Sequence, residues 1–293
     1  MNNRRDFIRT VALGSVGAMV LSKLSFAEGL TGKNPAVGIQ LYTVRDALNA
    51  NAKDALAKVA ALGYKNLELA GYNNGKFYGM EPVEFKKVVE DLGMKIISSH
   101  TGVEVKGVDT GNAQKMAEDH AKIGVKYCVQ PWLVTERRKT ADMFKQFVDE
   151  LNRVAEAMKK NGIQFGYHNH DFEFKEVDGV IPFYDIYMKN TDRELVTYEL
   201  DIYWASKAGQ NPIEIFQKYP GRFQLWHVKD MERSPDQFFA PVGTGSIDYK
   251  EIFKYRDTAG MKYFFVEQDA TRDNKPFDAI KISIDNLNNK ILK

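Results

Sequence analysis

The amino-acid sequence predicts an α/β protein folded as a closed (β/α)8 barrel of parallel strands. Three observations carry that expectation. Short apolar strands alternate eight times with amphipathic helical stretches. Strand starts recur about every 32 residues between Val37 and Tyr263. Four helical stretches end at a glycine that leads into the next strand, namely Leu62-Gly63, Leu92-Gly93, Ile123-Gly124 and Asn161-Gly162. A glycine there ends a helix in the left-handed region at no steric cost. Strands alternating with helices pair in parallel through right-handed crossovers, and eight units in roughly 260 residues suffice to close a barrel. An open doubly wound sheet is the rival, and it usually carries a glycine-rich phosphate turn after its first strand. Here Tyr42-Thr43-Val44-Arg45-Asp46 follows the first strand, without a glycine.

The units run in order as follows. Strand Val37-Leu41 precedes the helical stretch Asp46-Leu62, and Asn66-Leu69 precedes Glu81-Leu92. Strand Lys95-Ser99 leads to Asn112-Ile123, and Tyr127-Gln130 to the long amphipathic run Thr140-Lys160. Ile163-His168 is followed by Pro182-Lys189, and Val196-Asp201 by Pro212-Tyr219. Phe223-Val228 leads to Tyr249-Thr258, and Tyr263-Glu267 to Phe277-Leu287. Strands show the period of two and helices the apolar stripe expected of each type.

Residues 1–30 read as an address rather than as part of the barrel, which leaves 31–293 as a single domain. Asn3-Arg4-Arg5-Asp6-Phe7-Ile8-Arg9 precedes a Gly/Ala-rich apolar run from Val11 to Leu21. This is the layout of a twin-arginine export signal, with a cleavage point after Ser25-Phe26-Ala27, and it implies a periplasmic destination. A membrane anchor is the other reading, weakened because the run is short of the ~20 residues a span needs. The whole chain carries a net charge of +2, and residues 1–27 alone contribute three positive charges more than negative. The remainder is therefore nearly neutral, which argues against a nucleic-acid footprint. The single cysteine, Cys128, forms no internal disulfide, so stability rests on packing.

In a closed barrel the reactive groups project from the C-terminal ends of strands. Four of five histidines fall there: His100, His168, His170 and His227. His120 alone lies in a helical pattern, where exposure is expected. Glu68, Glu199, Asp201 and Glu267 interrupt apolar strands, and a carboxylate in such a place is costly unless paired or bound to a cation. Side-chain alternation puts His168 with His170, Glu199 with Asp201, and His227 with Lys229 on shared faces. Carboxylate oxygen with imidazole nitrogen suits Mn2+, Zn2+, Co2+ or Fe2+, whereas oxygen alone favours Mg2+ or Ca2+. The alternative is a salt-bridged core without metal.

These strand ends resemble a known family. Tyr167-His168-Asn169-His170-Asp171-Phe172-Glu173-Phe174, Glu199-Leu200-Asp201-Ile202-Tyr203-Trp204, His227-Val228-Lys229-Asp230 and Val266-Glu267-Gln268-Asp269 are similar to motifs of the xylose isomerase-like TIM barrel superfamily. The opening Val37-Gly38-Ile39-Gln40-Leu41-Tyr42-Thr43 and the loop Gly243-Thr244-Gly245-Ser246-Ile247-Asp248 fit as well. The resemblance implies sugar isomerases and epimerases, with ketose 3-epimerases, inosose dehydratase, keto-sugar lyases and a DNA-repair endonuclease branch among the members. It also implies one divalent metal, Mn2+ first and Zn2+, Co2+ or Mg2+ as alternatives, held by Asp201, His227 and Glu267. The chain departs at the fifth strand, where His168 aligns with the glutamate of the epimerases and becomes the fourth ligand. Trp204 stands where epimerases place a substrate-binding histidine.

The chemistry these groups suit is proton abstraction beside a keto-sugar carbonyl, through a metal-stabilised enediolate. Glu267 and His170 are the expected bases, and Lys229 an electrostatic clamp or proton donor. His168 is a ligand or an alternative base. Lys229 also reads as a simple ion-pair partner of Glu267 or Asp201. Arg45, Glu68, His100, Glu199, Trp204 and Trp132 are the expected substrate contacts, with Tyr42 adding an apolar face; Arg45 and His100 read equally as local caps. The primary expectation is an isomerase or epimerase. A lyase or hydratase acting on a 3-keto-glycoside or keto-sugar is the alternative, favoured by the missing glutamate. A non-catalytic periplasmic sugar-binding barrel is the other. The Gly243-x-Gly245 loop reads as a phosphate cradle or as a tight turn. A small sugar is the expected partner, with no nucleic acid and no stable membrane insertion, and self-association into a homo-oligomer stays open.

Overall fold

The computed structural model describes residues 35–101, 110–176 and 182–293. The expected export signal at 1–30 lies outside them. The compact body spans Ala36–Lys293. None of its described helices is long and apolar enough to cross a membrane.

Eight strands close the barrel: β1 (Gly38–Gln40), β2 (Asn66–Leu69), β3 (Lys95–His100), β4 (Tyr127–Gln130), β5 (Gln164–His168), β6 (Val196–Asp201), β7 (Leu225–Val228) and β8 (Tyr263–Val266). Each pairs in parallel with its sequence neighbours, and β1 pairs with both β2 and β8. The register sets Gln40 beside Glu68, His168 beside Glu199, and Asp201 beside His227. Polar strand-end residues therefore arrive as neighbours, which is what makes one rim of the barrel polar.

The glycine punctuation holds. Gly63, Gly93, Gly124 and Gly162 have φ of 101°, 70°, 80° and 72°, each just beyond a helix. The last of these helices, Ala141–Lys159, starts with Thr140 Oγ1 accepting from the Met143 N–H at 3.2 Å, an N-cap that satisfies one orphan donor. Its buried face carries Phe144, Phe147, Leu151, Val154 and Met158 against the strands. The stretch after β7 departs from expectation. It divides into helix Tyr249–Ile252, a 3-10 turn Phe253–Tyr255 and helix Arg256–Ala259. Phe253 packs there against Trp226 and Phe264, at 5.5 and 5.0 Å between ring centroids. Two short antiparallel ladders are additions that the alternating pattern does not announce, Tyr72–Asn73 with Lys76–Phe77 and Asp230–Met231 with Phe239–Ala240.

The core has two parts. The larger fills the space between barrel and helices, where Trp226 stacks on Phe216 at 4.7 Å with 5° between planes. The smaller lies inside the barrel and comprises Ile97, Tyr127, Val129, Leu225 and Phe265. This apolar plug leaves the opposite, C-terminal end of the barrel for the polar groups, as in barrels whose interior is packed rather than open.

Candidate active site

Strand alternation aims polar side chains from six strands into the barrel mouth, and they form two layers. The deeper layer holds Glu68 from β2, His100 from β3 and Glu199 from β6. The outer layer holds Asp201 from β6, with Lys229, Glu267 and Asp269 just beyond β7 and β8. The imidazoles of His168 and His227 stand between the layers and face both. His227 places Nδ1 at 2.9 Å from Glu267 Oε2 and 3.8 Å from Asp201 Oδ2. Its Nε2 lies 2.5 Å from Glu68 Oε2 and 3.2 Å from Glu199 Oε2. His168 divides in the same way, with Nε2 at 3.8 Å from Asp201 Oδ2 and Nδ1 at 3.2 Å from Glu199 Oε2.

Local structure prepares Asp201 for the mouth. It ends β6 and caps helix Ile202–Lys207, Oδ1 accepting from the Trp204 N–H at 2.8 Å. Its own N–H donates to Asn169 Oδ1 at 2.9 Å. Oδ2 is left buried without a hydrogen bond, and faces His168, His227 and the Lys229 ammonium at 2.9 Å. Lys229 is fully buried, ion-paired also to Glu267 and, at 2.6 Å, to Asp269. The Tyr249 hydroxyl accepts from its N–H and donates to its C=O, fixing the backbone that carries it.

Burial and charge set the proton positions. Burial pushes His168 well below the usual histidine value, helped by the cationic neighbours His227 and His100. Burial, and then Lys229, takes His170 down to about 3. Both rings are therefore neutral at pH 7, with a lone pair to offer. Burial alone would lower His227, but Glu199, Glu267 and Glu68 outweigh it and hold it well above. Burial would raise Glu267, and Lys229 and His227 reverse that, keeping it well below the carboxylate range. Burial and Glu68 raise Glu199 to about 7, whereas His100 and His227 overcome burial at Glu68 and bring it to about 2. Two touching buried carboxylates divide in this way because both cannot ionise cheaply. Burial, then Glu267, raises Asp269 to about 6 against the pull of Lys229.

Among the described residues, His168, Asp201, His227 and Glu267 offer four ligand atoms within 4.8 Å of one another. Two imidazole nitrogens and two carboxylate oxygens, one of them the Asp201 Oδ2 that has an ion pair but no hydrogen bond, are a donor set that fits a divalent transition metal. A second group, His100, His168, Glu199 and His227, meets the same distance limit one layer deeper.

The expected residues converge, with differences. His170 stands at the mouth, its Nδ1 buried without a partner, Trp132 at 4.6 Å and Trp204 at 5.4 Å between ring centroids. Its backbone N–H donates to Glu173 Oε2 at 2.8 Å. Glu68, His100 and Glu199, expected to contact substrate, instead turn toward one another and toward the deep-facing nitrogens of His168 and His227. Arg45 is a backbone clamp, its Nη1 donating to the C=O groups of Tyr42 and Asp269 at 2.9 and 3.1 Å. The phosphate-cradle reading of Gly243-x-Gly245 gives way to the turn reading. Asp230 already occupies that nest, accepting from the N–H groups of Met231, Gly243, Gly245 and Ile247 at 2.8 to 3.0 Å. His120, expected at the surface, is fully buried, its Nδ1 donating to Met116 C=O at 2.7 Å beside Tyr72 and Phe77. Asp269 is the site residue sequence reasoning passed over. It follows Glu267 by two positions, the spacing that pairs His227 with Lys229.

The profile described as Xylose isomerase-like TIM barrel matches residues 56–290. The chain belongs to that family. It is 24% identical over 233 residues to the inosose dehydratase of Geobacillus kaustophilus, covering 68% of this chain and 73% of that protein. The inosose dehydratase of Clostridium beijerinckii is also 24% identical, over 78% of this chain and 79% of its own length. A solved sugar phosphate isomerase/epimerase from Parabacteroides distasonis superposes with a TM-score of 0.78 at 32% identity, covering 88% of this chain and 99% of that one.

Proposed function

We propose that this chain is a divalent-metal-dependent enzyme that removes the proton beside the carbonyl of a keto-sugar or keto-cyclitol and then expels a neighbouring hydroxyl. The observation that carries it is the convergence of His168, Asp201, His227 and Glu267 beside a neutral His170 with a free Nδ1. A cation held by those four would supply Lewis acidity at the carbonyl oxygen, worth several kcal/mol. The chain's own groups do the rest. His170 accepts the carbon-bound proton at Nδ1, its loop held by the Glu173 carboxyl. Lys229, ringed by Asp201, Glu267 and Asp269, offsets negative charge that develops on substrate oxygen and supplies a proton to the leaving hydroxide. Trp132 and Trp204 flank His170 with apolar ring faces suited to the C–H face of a sugar.

Elimination is favoured over epimerisation because, among the described residues, no second carboxylate stands opposite Glu267 across the mouth. His168 stands at the fifth-strand position, leaving Glu267 without an opposite number. The inosose dehydratase relatives support the same direction. Isomerisation or epimerisation shares the first step and is the second reading, supported by the 32%-identical sugar phosphate isomerase/epimerase. An uncharged substrate fits the Gly243–Ile247 loop, whose amides are already taken by Asp230.

The test supplies Mn2+, Zn2+, Co2+ or Mg2+ to the purified protein in D2O with 2-keto and 3-keto sugars and a keto-cyclitol. An unsaturated product is the expected result. Deuterium in recovered substrate, or an epimer with no unsaturated product, supports the second reading. Neither outcome from a fully metallated protein refutes both.

A further inference from the structure

We infer that Glu68 and Glu199 are positioning residues, each accepting the ring proton on the deep side of His227 and His168 and so turning the other nitrogen of each ring toward Asp201 and Glu267. This rests on the reading that a cation sits in the outer layer. A neutral imidazole carries one N–H and one lone pair, and the group that accepts the N–H decides which nitrogen is free. A carboxyl oxygen that carries no proton can only accept. Glu68 Oε2 faces His227 Nε2 at 2.5 Å, and Glu199 Oε2 faces His168 Nδ1 at 3.2 Å. On His227 both nitrogens face a carboxylate, Nε2 with Glu68 Oε2 at 2.5 Å and Nδ1 with Glu267 Oε2 at 2.9 Å; with Nδ1 turned to a cation held by Glu267, its ring proton belongs on Nε2, as that of His168 belongs on Nδ1 beside Glu199. His227 Nδ1 and His168 Nε2 are then the lone-pair atoms, and these are the two that approach Asp201 Oδ2.

The deep layer is built to hold that arrangement. Gln40 Nε2 donates to Glu68 Oε2 at 2.9 Å, and Gln40 Oε1 accepts from the Tyr42 N–H at 3.0 Å. A hydrogen-bonded line thus runs from the end of β1 through Gln40 and Glu68 to His227. His100 Nε2 lies 2.6 Å from Glu199 Oε2 and 3.4 Å from Glu68 Oε2, and its ring stacks on His227 at 5.0 Å with 13° between planes. His100 thus bridges the two carboxylates from the third strand and holds them in place behind the ligating rings. Carboxylates behind ligating histidines raise ligand basicity and fix ring orientation, and their loss typically weakens metal binding by about 10- to 100-fold. The free Oε1 atoms of Glu68 and Glu199 mark the competing assignment, in which the deep layer is itself a cation site.

The experiment titrates the metal-free full chain with Co2+, following the visible spectrum and the ions bound per chain. Wild type, Glu68→Gln, Glu199→Gln and Asp201→Asn are compared. Glutamine keeps the volume and removes the negative acceptor. The inference expects one Co2+ per chain throughout the glutamine variants, an affinity lower by about 10- to 100-fold in each, and an altered Co2+ spectrum. Unchanged affinity in both glutamine variants overturns it. So does binding of two Co2+ per wild-type chain with one lost in Glu68→Gln, which makes Glu68 a ligand. A merely structural role leaves the Co2+ spectrum and affinity of the folded variants at the wild-type values, whatever happens to the metal-free melting temperature. Failure of the underlying reading looks different: wild type takes up no Co2+, or Asp201→Asn binds it as tightly as wild type.

Discussion

Asp230→Asn is a one-atom change with a large expected cost. Asp230 is fully buried, and its two oxygens share four N–H donors evenly: Oδ1 serves Met231 and Ile247, Oδ2 serves Gly243 and Gly245. Whichever way an asparagine amide is turned, its NH2 faces two backbone N–H groups. Two hydrogen bonds to a charged acceptor, worth about 1.5–3 kcal/mol each, are lost and two donors are left facing a donor. Local relaxation recovers part of this, so the expected cost is about 3–5 kcal/mol. For a domain of this size that lowers the melting temperature by about 10 °C. Gly245 adds a check, because a Cβ there would collide with Met231 O and the Asp230 carboxylate, so Gly245→Ala acts in the same direction. Circular-dichroism melts of the metal-free protein measure both. An Asp230→Asn variant within about 1 kcal/mol of wild type would show that the carboxylate does not hold the loop.

Four further outcomes follow from the site. Glu267→Gln lowers turnover about 1000-fold, because several kcal/mol of charge stabilisation depend on its carboxylate; steady-state kinetics on the metallated protein measure this. His170→Asn lowers turnover by about 100- to 10,000-fold, the usual range for a lost general base, with little change in Co2+ affinity. Dialysis against a chelator abolishes turnover and lowers the melting temperature, and metal at 100 times its Kd restores about 2.7 kcal/mol; a chelated protein that melts and turns over like wild type contradicts the metal reading. Burial pushes Glu173 up to about 8 from an ordinary 4.5 despite donation from Tyr167 and the His170 N–H. The native state therefore binds the extra proton between those values. Its contribution is present at low pH and lost as pH rises through about 8, by an amount on the order of 4 kcal/mol. Glu173→Gln should flatten that part of the pH–stability curve, and parallel curves from pH 5 to 8.5 would contradict the assignment.

Periodic features were legible in the chain because they are local. Alternation within a strand put Glu199 with Asp201 and His227 with Lys229 on shared faces, and the barrel register brought those faces together. The same rule applied to Glu267 reaches Asp269, which now holds Lys229 at 2.6 Å. What could not be read locally depends on distant partners. His120 is buried because Tyr72 and Phe77, from a hairpin more than forty residues earlier, cover its ring. Asp230 points away from the mouth to meet amides 13 to 17 residues later. Arg45 is drawn to a carbonyl 224 residues away. The split of the deep and outer layers is likewise a property of register and tilt, so Glu68 and Glu199 carried the right chemistry but an unreadable depth.

The histidine at position 168 ties these features together. Glu68, Glu199, Asp201, Glu267 and Asp269 already place five carboxyl groups around the buried mouth, with Lys229 and His100 beside them. A sixth carboxylate at position 168 would stand directly against Glu199, its partner in the β5–β6 register, and like charges in such a setting cost heavily. An imidazole there offers a candidate ligand atom without adding negative charge. It also accepts a fixed orientation from Glu199, which a carboxylate could not. The consequence for chemistry is asymmetry: a carboxylate with a strongly lowered proton affinity at Glu267, and a neutral imidazole at His170. That inequality is what the proposed elimination requires, one proton removed and a leaving hydroxide protonated by Lys229, and it is ill matched to return of the same proton to the opposite face.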